Sequence, residues 1–300
     1  MTADDIRRIL VLGGGTMGQQ IALYFAVHGC DIVIYDVEDG ILEKSLSGLR
    51  KMAGGLVKLQ LITQEAADAA LGRISTTASA GKAAVDADLV SESVPEDPQL
   101  KGQVFSLFHN LCPQRAIFTT NTSTLLPSMF ARSTGRPERF LAFHFHDLRT
   151  NVVVDIMPHP GTDPAVVQTV HDFSKKMGLI AIRMNRESSG YVFNAMLGAL
   201  MLSAQALVAN EVASVEDVDR AWMGVTHMPM GPFGIMDSVG LDTVWKITDF
   251  WAKKTKDVQQ RKNADFLKKM IDRGHFGRKS GKGFYTYPGP RYRQPGFVAG

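Results

Sequence analysis

Cysteine is nearly missing from this chain: Cys30 and Cys112 are the only two in 300 residues. A disulfide framework is therefore excluded, and both thiols sit beside apolar sequence, where reduced, inert cysteines are expected. No run of lysine or arginine stands out, and the formal net charge is only +3. That excludes the basic footprint of a nucleic-acid binder, although a slightly basic balance is compatible with a polyphosphate-bearing ligand. Long apolar runs are missing too. The closest is 188–210, which carries no charge but is diluted by Asn194, Ser203, Gln205 and several Gly and Ala. A membrane span needs about 20 predominantly apolar residues, so this segment reads instead as a helix buried in a helical domain or at a subunit interface. Residues Met1 to Arg8 are charged and run straight into a strand-like segment. They do not read as a signal peptide, and a cytoplasmic protein is expected.

What is present is ordinary for a globular protein, with 45% hydrophobic and 21% charged residues. The length suggests two domains. The apolar run Ile9 to Leu12 ends in glycines, 17–28 reads as a helix, and Asp31-Ile-Val-Ile-Tyr35 reads as a second strand closing on Asp36. Strand, glycine-rich turn, helix and strand make one βαβ unit. Residues 42–71 read as a helical excursion. Further strands are expected around 88–94, 116–120, 140–145, 152–157 and 179–183, with helices near 100–111 and 164–177. After Arg186 the pattern becomes helical, over 190–208, 214–223, 231–254 and 258–273, and Ser214-x-x-Asp217 is a variant capping box. The expected fold is α/β: a Rossmann-type doubly wound, mostly parallel sheet over 1–186, then a smaller all-α domain over 187–300.

Gly13-Gly14-Gly15-Thr16-Met17-Gly18 satisfies G-x-G-x-x-G. The motif alone is weak, but here a strand precedes it, a helix follows and an acid closes the next strand. Gly13 permits the tight turn, Gly15 the approach of a pyrophosphate and Gly18 close packing of helix on strand. Asp36 is placed to accept from the adenosine ribose hydroxyls. Val37 and Glu38 follow it, and neither could neutralise a 2′-phosphate, so NAD is expected over NADP.

Ligands of doubly wound sheets gather at the carboxyl ends of strands. Glu92 and Glu96 follow Leu89-Val90, and Asn121-Thr122-Ser123 follows 116–120, while His144 lies inside one otherwise apolar stretch and Asp155 within another. Oxidising an alcohol with NAD needs a base for the hydroxyl proton, a role that suits histidine. A carboxylate behind the imidazole fixes its tautomer. His144 and Asp155 are symmetric about the point between Arg149 and Thr150, so a hairpin there would set them opposite each other on one face. Without that hairpin, His144 reads as a satisfied core histidine. His146 shares its strand face, which raises a metal site, with Asp147 and His159 nearby. No third ligand has an obvious spacing, and no metal is expected.

Together these segments resemble the 3-hydroxyacyl-CoA dehydrogenase family, of the 3-hydroxybutyryl-CoA dehydrogenase type. The resemblance runs through Val11-Leu-Gly-Gly-Gly-Thr-Met-Gly, Val94-Pro-Glu-Asp, Asn121-Thr-Ser, His144-Phe, Gly190-Tyr-Val-Phe-Asn, Met230-Gly-Pro-Phe, Asp237-Ser-Val-Gly-Leu-Asp and Ser280-Gly-Lys-Gly-Phe-Tyr. It covers nearly the whole chain. It implies an enzyme of fatty-acid metabolism that interconverts (S)-3-hydroxyacyl-CoA and 3-oxoacyl-CoA with NAD.

His144 then matches the catalytic base, and Asp155 stands near the family's histidine-pairing glutamate. Ser123 and Asn194 match residues contacting the substrate oxygen. Glu96, Lys101 and Asn121, with Met17 in the glycine loop, fall to the cofactor, and Lys51 or Lys58 to the phosphates of CoA. The resemblance further implies a homodimer through the second domain. The chain departs from the family where Phe-Phe-Asn-Pro usually follows the histidine. Here the stretch is Phe145-His146-Asp147-Leu148, and the partner acid is both one residue closer and one methylene shorter.

Plainer roles stand beside these: a helix N-cap for Ser123, a backbone-satisfied buried amide for Asn194, and solvated charges for Lys101, Lys51 and Lys58. Two other functions stay open. One is a free hydroxy-acid dehydrogenase of the gulonate or carnitine type, toward which Val154-Asp-Ile-Met-Pro-His-Pro leans while Gly281-Lys-Gly-Phe-Tyr leans to acyl-CoA. The other is a non-catalytic, crystallin-like NAD-binding protein.

Overall fold

The computed structural model describes residues 1–300, divided into two compact units, Met1–Val192 and Phe193–Gly300. In the first unit the order is β1 (Arg8–Leu12), α1 (Thr16–Val27), β2 (Asp31–Tyr35), α2 (Asp39–Lys58), α3 (Gln64–Gly72), β3 (Ile74–Thr77), α4 (Ala80–Ala84), β4 (Leu89–Glu92), α5 (Pro98–Leu111), β5 (Ile117–Thr120), β6 (Phe140–Phe145), β7 (Val153–Pro158), α6 (Pro164–Lys176) and β8 (Ile180–Arg183). The eight strands form one sheet in the order β3-β2-β1-β4-β5-β6-β7-β8. Every pairing is parallel except β6 with β7. The Rossmann-type, mostly parallel sheet expected from the sequence is therefore present.

Period two explains the packing. Ile9 and Val11 enter one buried cluster with Ile21, Phe25 and Phe173, while Leu10 and Leu12 enter the other with Phe105, Phe108 and Phe118. Burying each such side chain contributes roughly 1.5–3 kcal/mol. Helices start where short polar side chains accept the first free N–H groups. Asp97 accepts from Gln99 N at 2.7 Å and Leu100 N at 3.0 Å to open α5, and Asp163 accepts from Ala165 N at 2.8 Å to open α6.

The segment 187–192, which sequence texture grouped with the helical domain, packs with the first unit. Glu187 accepts from Ser128 N at 2.6 Å, and the Tyr191 hydroxyl donates to Thr122 O at 2.6 Å. β3 and α4 were not anticipated; both are short, and β3 has no fully buried side chain to betray it.

The second unit is α7 (Phe193–Ala209), α8 (Val215–Thr226), α9 (Pro232–Val239), α10 (Leu241–Thr255) and α11 (Val258–Ile271), followed by an irregular tail. Ser214 accepts from Asp217 N at 3.1 Å at the start of α8, as the capping pattern suggested. The run 231–254, read as one helix, is two, because Gly240 adopts φ +101° between α9 and α10. Buried Asp237 accepts from Phe284 N and Tyr285 N, each at 2.9 Å, and from the Tyr287 hydroxyl at 3.1 Å. A Cβ on Gly283 would sit 2.0 Å from its Oδ1. The glycine-rich tail motif thus wraps a buried acid of the second unit. No helix is long and apolar enough to cross a membrane.

Candidate active site

β1, β4, β5 and β6 deliver their carboxyl ends to one edge of the sheet, and antiparallel β7 begins there. At the end of β1, Gly13 adopts φ +104°, and a Cβ there would lie 2.7 Å from Ser93 O. A Cβ on Gly18 would meet Gly13 O at 1.9 Å, so these two glycines are demanded by the chain's own packing. Gly15 is different. A Cβ on it would meet nothing within 4 Å, and its φ of −71° suits any residue.

The N-terminus of α1 just beyond has no side-chain cap and no acid in its first turn. Its free N–H groups and dipole therefore face outward, which favours an anion. Asp36 Oδ2 accepts from Gly14 N at 2.8 Å, which ties the acid at the end of β2 to the glycine loop. Met17 is half-buried in the same turn. An open space at Gly15, an uncapped helix start and a fixed carboxylate fit a dinucleotide.

A second cluster follows β4. Lys101 is buried, with its ammonium 2.7 Å from Glu92 Oε1, 3.1 Å from Val94 O and 3.3 Å from Glu96 Oε2. It is not a solvated charge: three acceptors saturate its three N–H donors. Glu96 Oε1 in turn gathers the loop after β5, accepting from Ser123 N at 3.1 Å, Thr124 N at 3.2 Å, Thr124 Oγ1 at 2.9 Å and the Thr122 hydroxyl. Burial alone would raise the Glu96 carboxyl, but the Thr122 hydrogen bond, the Lys101 charge and the Thr124 hydrogen bond hold it below its usual range. Lys101 therefore acts on this loop through Glu96.

The loop presents Ser123 exposed, its hydroxyl bonded to nothing in the chain. The cap in this loop is Thr122, whose Oγ1 accepts from Leu125 N at 2.9 Å. Asn121 Oδ1 accepts from Phe145 N at 2.8 Å, which binds the loop to the end of β6 beside His144.

β6 and β7 pair with His144 directly opposite Asp155, the register that the symmetry about Arg149 and Thr150 required. His144 Nδ1 lies 3.0 Å from Asp155 Oδ2, and both residues are buried. His146 Nε2 lies 3.0 Å from the same oxygen. Asp155 Oδ1 has no partner. Burial opposes ionisation of Asp155, but hydrogen bonds from His144 and His146 outweigh it and hold the carboxyl below its usual range.

Ligand-type atoms of His144, His146 and Asp155 fall within 4.8 Å of one another, so the third group that sequence spacing did not supply is Asp155. Two ring N–H donors meeting one acceptor account for the grouping. The other neighbours considered go elsewhere: Asp147 pairs with Arg149 at 2.6 Å, and His159 Nε2 donates to Pro137 O at 2.8 Å while its Nδ1 accepts from Gly161 N.

Tyr191 was not anticipated as part of the site. Its ring stacks on His144 at 4.4 Å and 13°, and its hydroxyl holds Thr122 O. The residue adopts φ +54°, a costly conformation for an aromatic side chain that persists only when its surroundings fix it. The signal available was its place beside Gly190 in a quoted motif, with nothing in that motif to reveal the stack. Of the other anticipated residues, Lys51 and Lys58 are exposed on α2, and Asn194 lies half-buried in the first turn of α7 in the second unit.

The family model for the 3-hydroxyacyl-CoA dehydrogenase NAD binding domain matches residues 8–188, and that for the C-terminal domain matches residues 190–287. The chain belongs to the 3-hydroxyacyl-CoA dehydrogenase family. Among its relatives is the mitochondrial hydroxyacyl-coenzyme A dehydrogenase of Homo sapiens, 30% identical over 288 residues, which cover 94% of this chain and 91% of that protein. A 3-hydroxybutyryl-CoA dehydrogenase of Mycobacterium tuberculosis is 32% identical over 288 residues, covering 95% of this chain and all of that protein.

Solved structures agree. A diketoreductase described as acting on dicarbonyl compounds superposes with a TM-score of 0.86 at 36% identity, covering 94% of this chain and 99% of that one. The (S)-3-hydroxybutyryl-CoA dehydrogenase of Ralstonia eutropha superposes with a TM-score of 0.85 at 27% identity, with the same coverage. NAD is the cofactor of this family member.

Proposed function

We propose that this protein interconverts (S)-3-hydroxyacyl-CoA and 3-oxoacyl-CoA with NAD, and that His144 is its general base and acid. One observation carries the reading. His144 Nδ1 faces a buried carboxylate oxygen that can only accept, while its Nε2 makes no hydrogen bond within the chain. The proton therefore sits on Nδ1 and the lone pair on Nε2, the tautomer a base requires. NAD, when bound, supplies the hydride acceptor. In oxidation His144 Nε2 takes the hydroxyl proton, and Asp155 stabilises the imidazolium; in reduction the proton returns to the substrate oxygen.

In this reading the Ser123 hydroxyl donates to that oxygen as charge develops on it. Glu96 and Asn121 set the loop on the nicotinamide side, and Lys101 acts through Glu96. Lys51 and Lys58 serve the CoA phosphates. A homodimer through the second unit is part of the proposal, supported by exposed apolar side chains there, including Met196, Val225, Ile247, Phe250 and Trp251.

The test is NADH oxidation with acetoacetyl-CoA against free acetoacetate. The reading expects kcat/KM at least tenfold higher for the thioester. The likeness to a diketoreductase and the unusual His146-Asp147-Leu148 stretch support one second reading, reduction of free dicarbonyl compounds. A free dicarbonyl ester turned over faster than acetoacetyl-CoA would favour it.

A further inference from the structure

The Asp155 carboxylate is used unevenly. Oδ2 receives two imidazole donors, His144 Nδ1 and His146 Nε2, each at 3.0 Å, while buried Oδ1 receives none. The two rings meet edge to face with centroids 4.8 Å apart. Because a carboxylate only accepts, each facing nitrogen carries a hydrogen, and both rings are tied to one oxygen.

We propose that His146 is a positioning residue for the reaction base: its Nε2–H pins the rotation of the Asp155 carboxylate and takes part of the charge that would otherwise fall on His144. The inference rests on the reading of His144 as general base.

The geometry supplies the reasons. With no donor on Oδ1, a single bond to His144 leaves the carboxylate plane free to tilt about its last bond. A second donor to Oδ2 restricts that tilt and keeps a carboxylate oxygen beside His144 Nδ1. The same donor competes for the oxygen's charge, which weakens the carboxylate's grip on a protonated His144. The two donors share one acceptor, so what one ring draws from that oxygen is not available to the other.

The titratable groups near the pair include Asp155 on β7, Tyr191 stacked on His144, the paired Asp147 and Arg149 that follow His146 in the chain, and the carboxylates of Glu92, Glu96 and Glu187, which act on Tyr191. Of these, Asp155 loses a hydrogen bond when His146 is replaced. His146 therefore acts on His144 through the shared carboxylate oxygen.

The test separates this role from a merely structural one and does not need turnover. The His144 ring is titrated by NMR in the wild-type protein and in His146→Phe, His146→Leu and His146→Gln, with no substrate present. Phe and Leu remove the donor; Gln keeps an N–H at the same reach. The expected result is a midpoint about one pH unit higher in His146→Phe and His146→Leu, because His144 then holds the carboxylate alone. In His146→Gln the midpoint returns to within about 0.3 unit of wild type. The acid limb of kcat/KM follows the same order.

An unmoved midpoint in both apolar variants, or an equal shift in His146→Gln, would overturn the proposal. If the ring titrations follow the expected order while no 3-oxo compound is reduced, the reading of the reaction fails and the coupling stands.

Discussion

Tyr191 lies face to face with His144 at 4.4 Å and uses its hydroxyl to hold Thr122 O, one residue before Ser123. One side chain thus fixes both the ring read as the base and the loop read as the oxygen donor. Tyr191→Phe keeps the stack and loses the hydrogen bond, and should lower kcat several-fold. Tyr191→Ala loses both and should lower kcat by about a hundredfold, the scale of a small misplacement, with NADH affinity little changed. Steady-state kinetics with parallel NADH titration checks this.

Gly15 and Gly18 should separate binding from folding. Gly15→Val adds a side chain where the protein has nothing within 4 Å, so thermal stability should stay within about 0.5 kcal/mol while NADH affinity falls at least tenfold. Gly18→Ala drives a methyl into Gly13 O and should destabilise the first unit outright. Calorimetry and fluorescence titration of both variants measure the contrast.

Lys101 should matter to stability as much as to the loop it organises. Lys101→Met leaves Glu92 buried without its cation, a loss expected to cost about 3–5 kcal/mol. Adding Glu92→Gln should recover part of that cost, because the stranded charge is gone. Urea denaturation of the single and double variants reads the coupling.

The second unit carries a pH signature of opposite sign to that of most carboxylates. Burial pushes buried Asp219 up to about 6, despite hydrogen bonds from Phe233 N, the Tyr285 hydroxyl and Gly234 N. Its folded state therefore binds a proton more tightly than the unfolded chain does. That contribution is fully present below the unfolded value near 4 and is lost as pH rises to about 6, amounting to roughly 2–3 kcal/mol. The stability difference between wild type and Asp219→Asn should fall by that amount between pH 4 and 6.5 and stay flat above, as read from urea midpoints.

Much of this was legible because it is local. The glycine loop, its flanking strands and Asp36 lie within one βαβ unit, where spacing alone fixes geometry. The pairing of His144 with Asp155 was legible for a different reason: in an antiparallel hairpin, symmetry about the turn sets the register. β3 escaped because Ile74–Thr77 is short and only half-buried, so no apolar period marks it. Tyr191 escaped because it depends on where a turn remote in sequence folds back; the shared carboxylate escaped because a common strand face does not reveal that both rings reach one oxygen. Asn121, by contrast, was placed on resemblance, and its tie to Phe145 N supplies a structural reason for an amide at that position.

The most direct measurement is NADH oxidation with acetoacetyl-CoA by wild type and His144→Ala, with NADH affinity determined on the same samples. The account predicts that the variant loses at least a thousandfold in kcat, the upper range for general acid–base catalysis, while NADH binds within about threefold of wild type. A variant that keeps more than a tenth of wild-type turnover, or that loses turnover and NADH binding together, would contradict it.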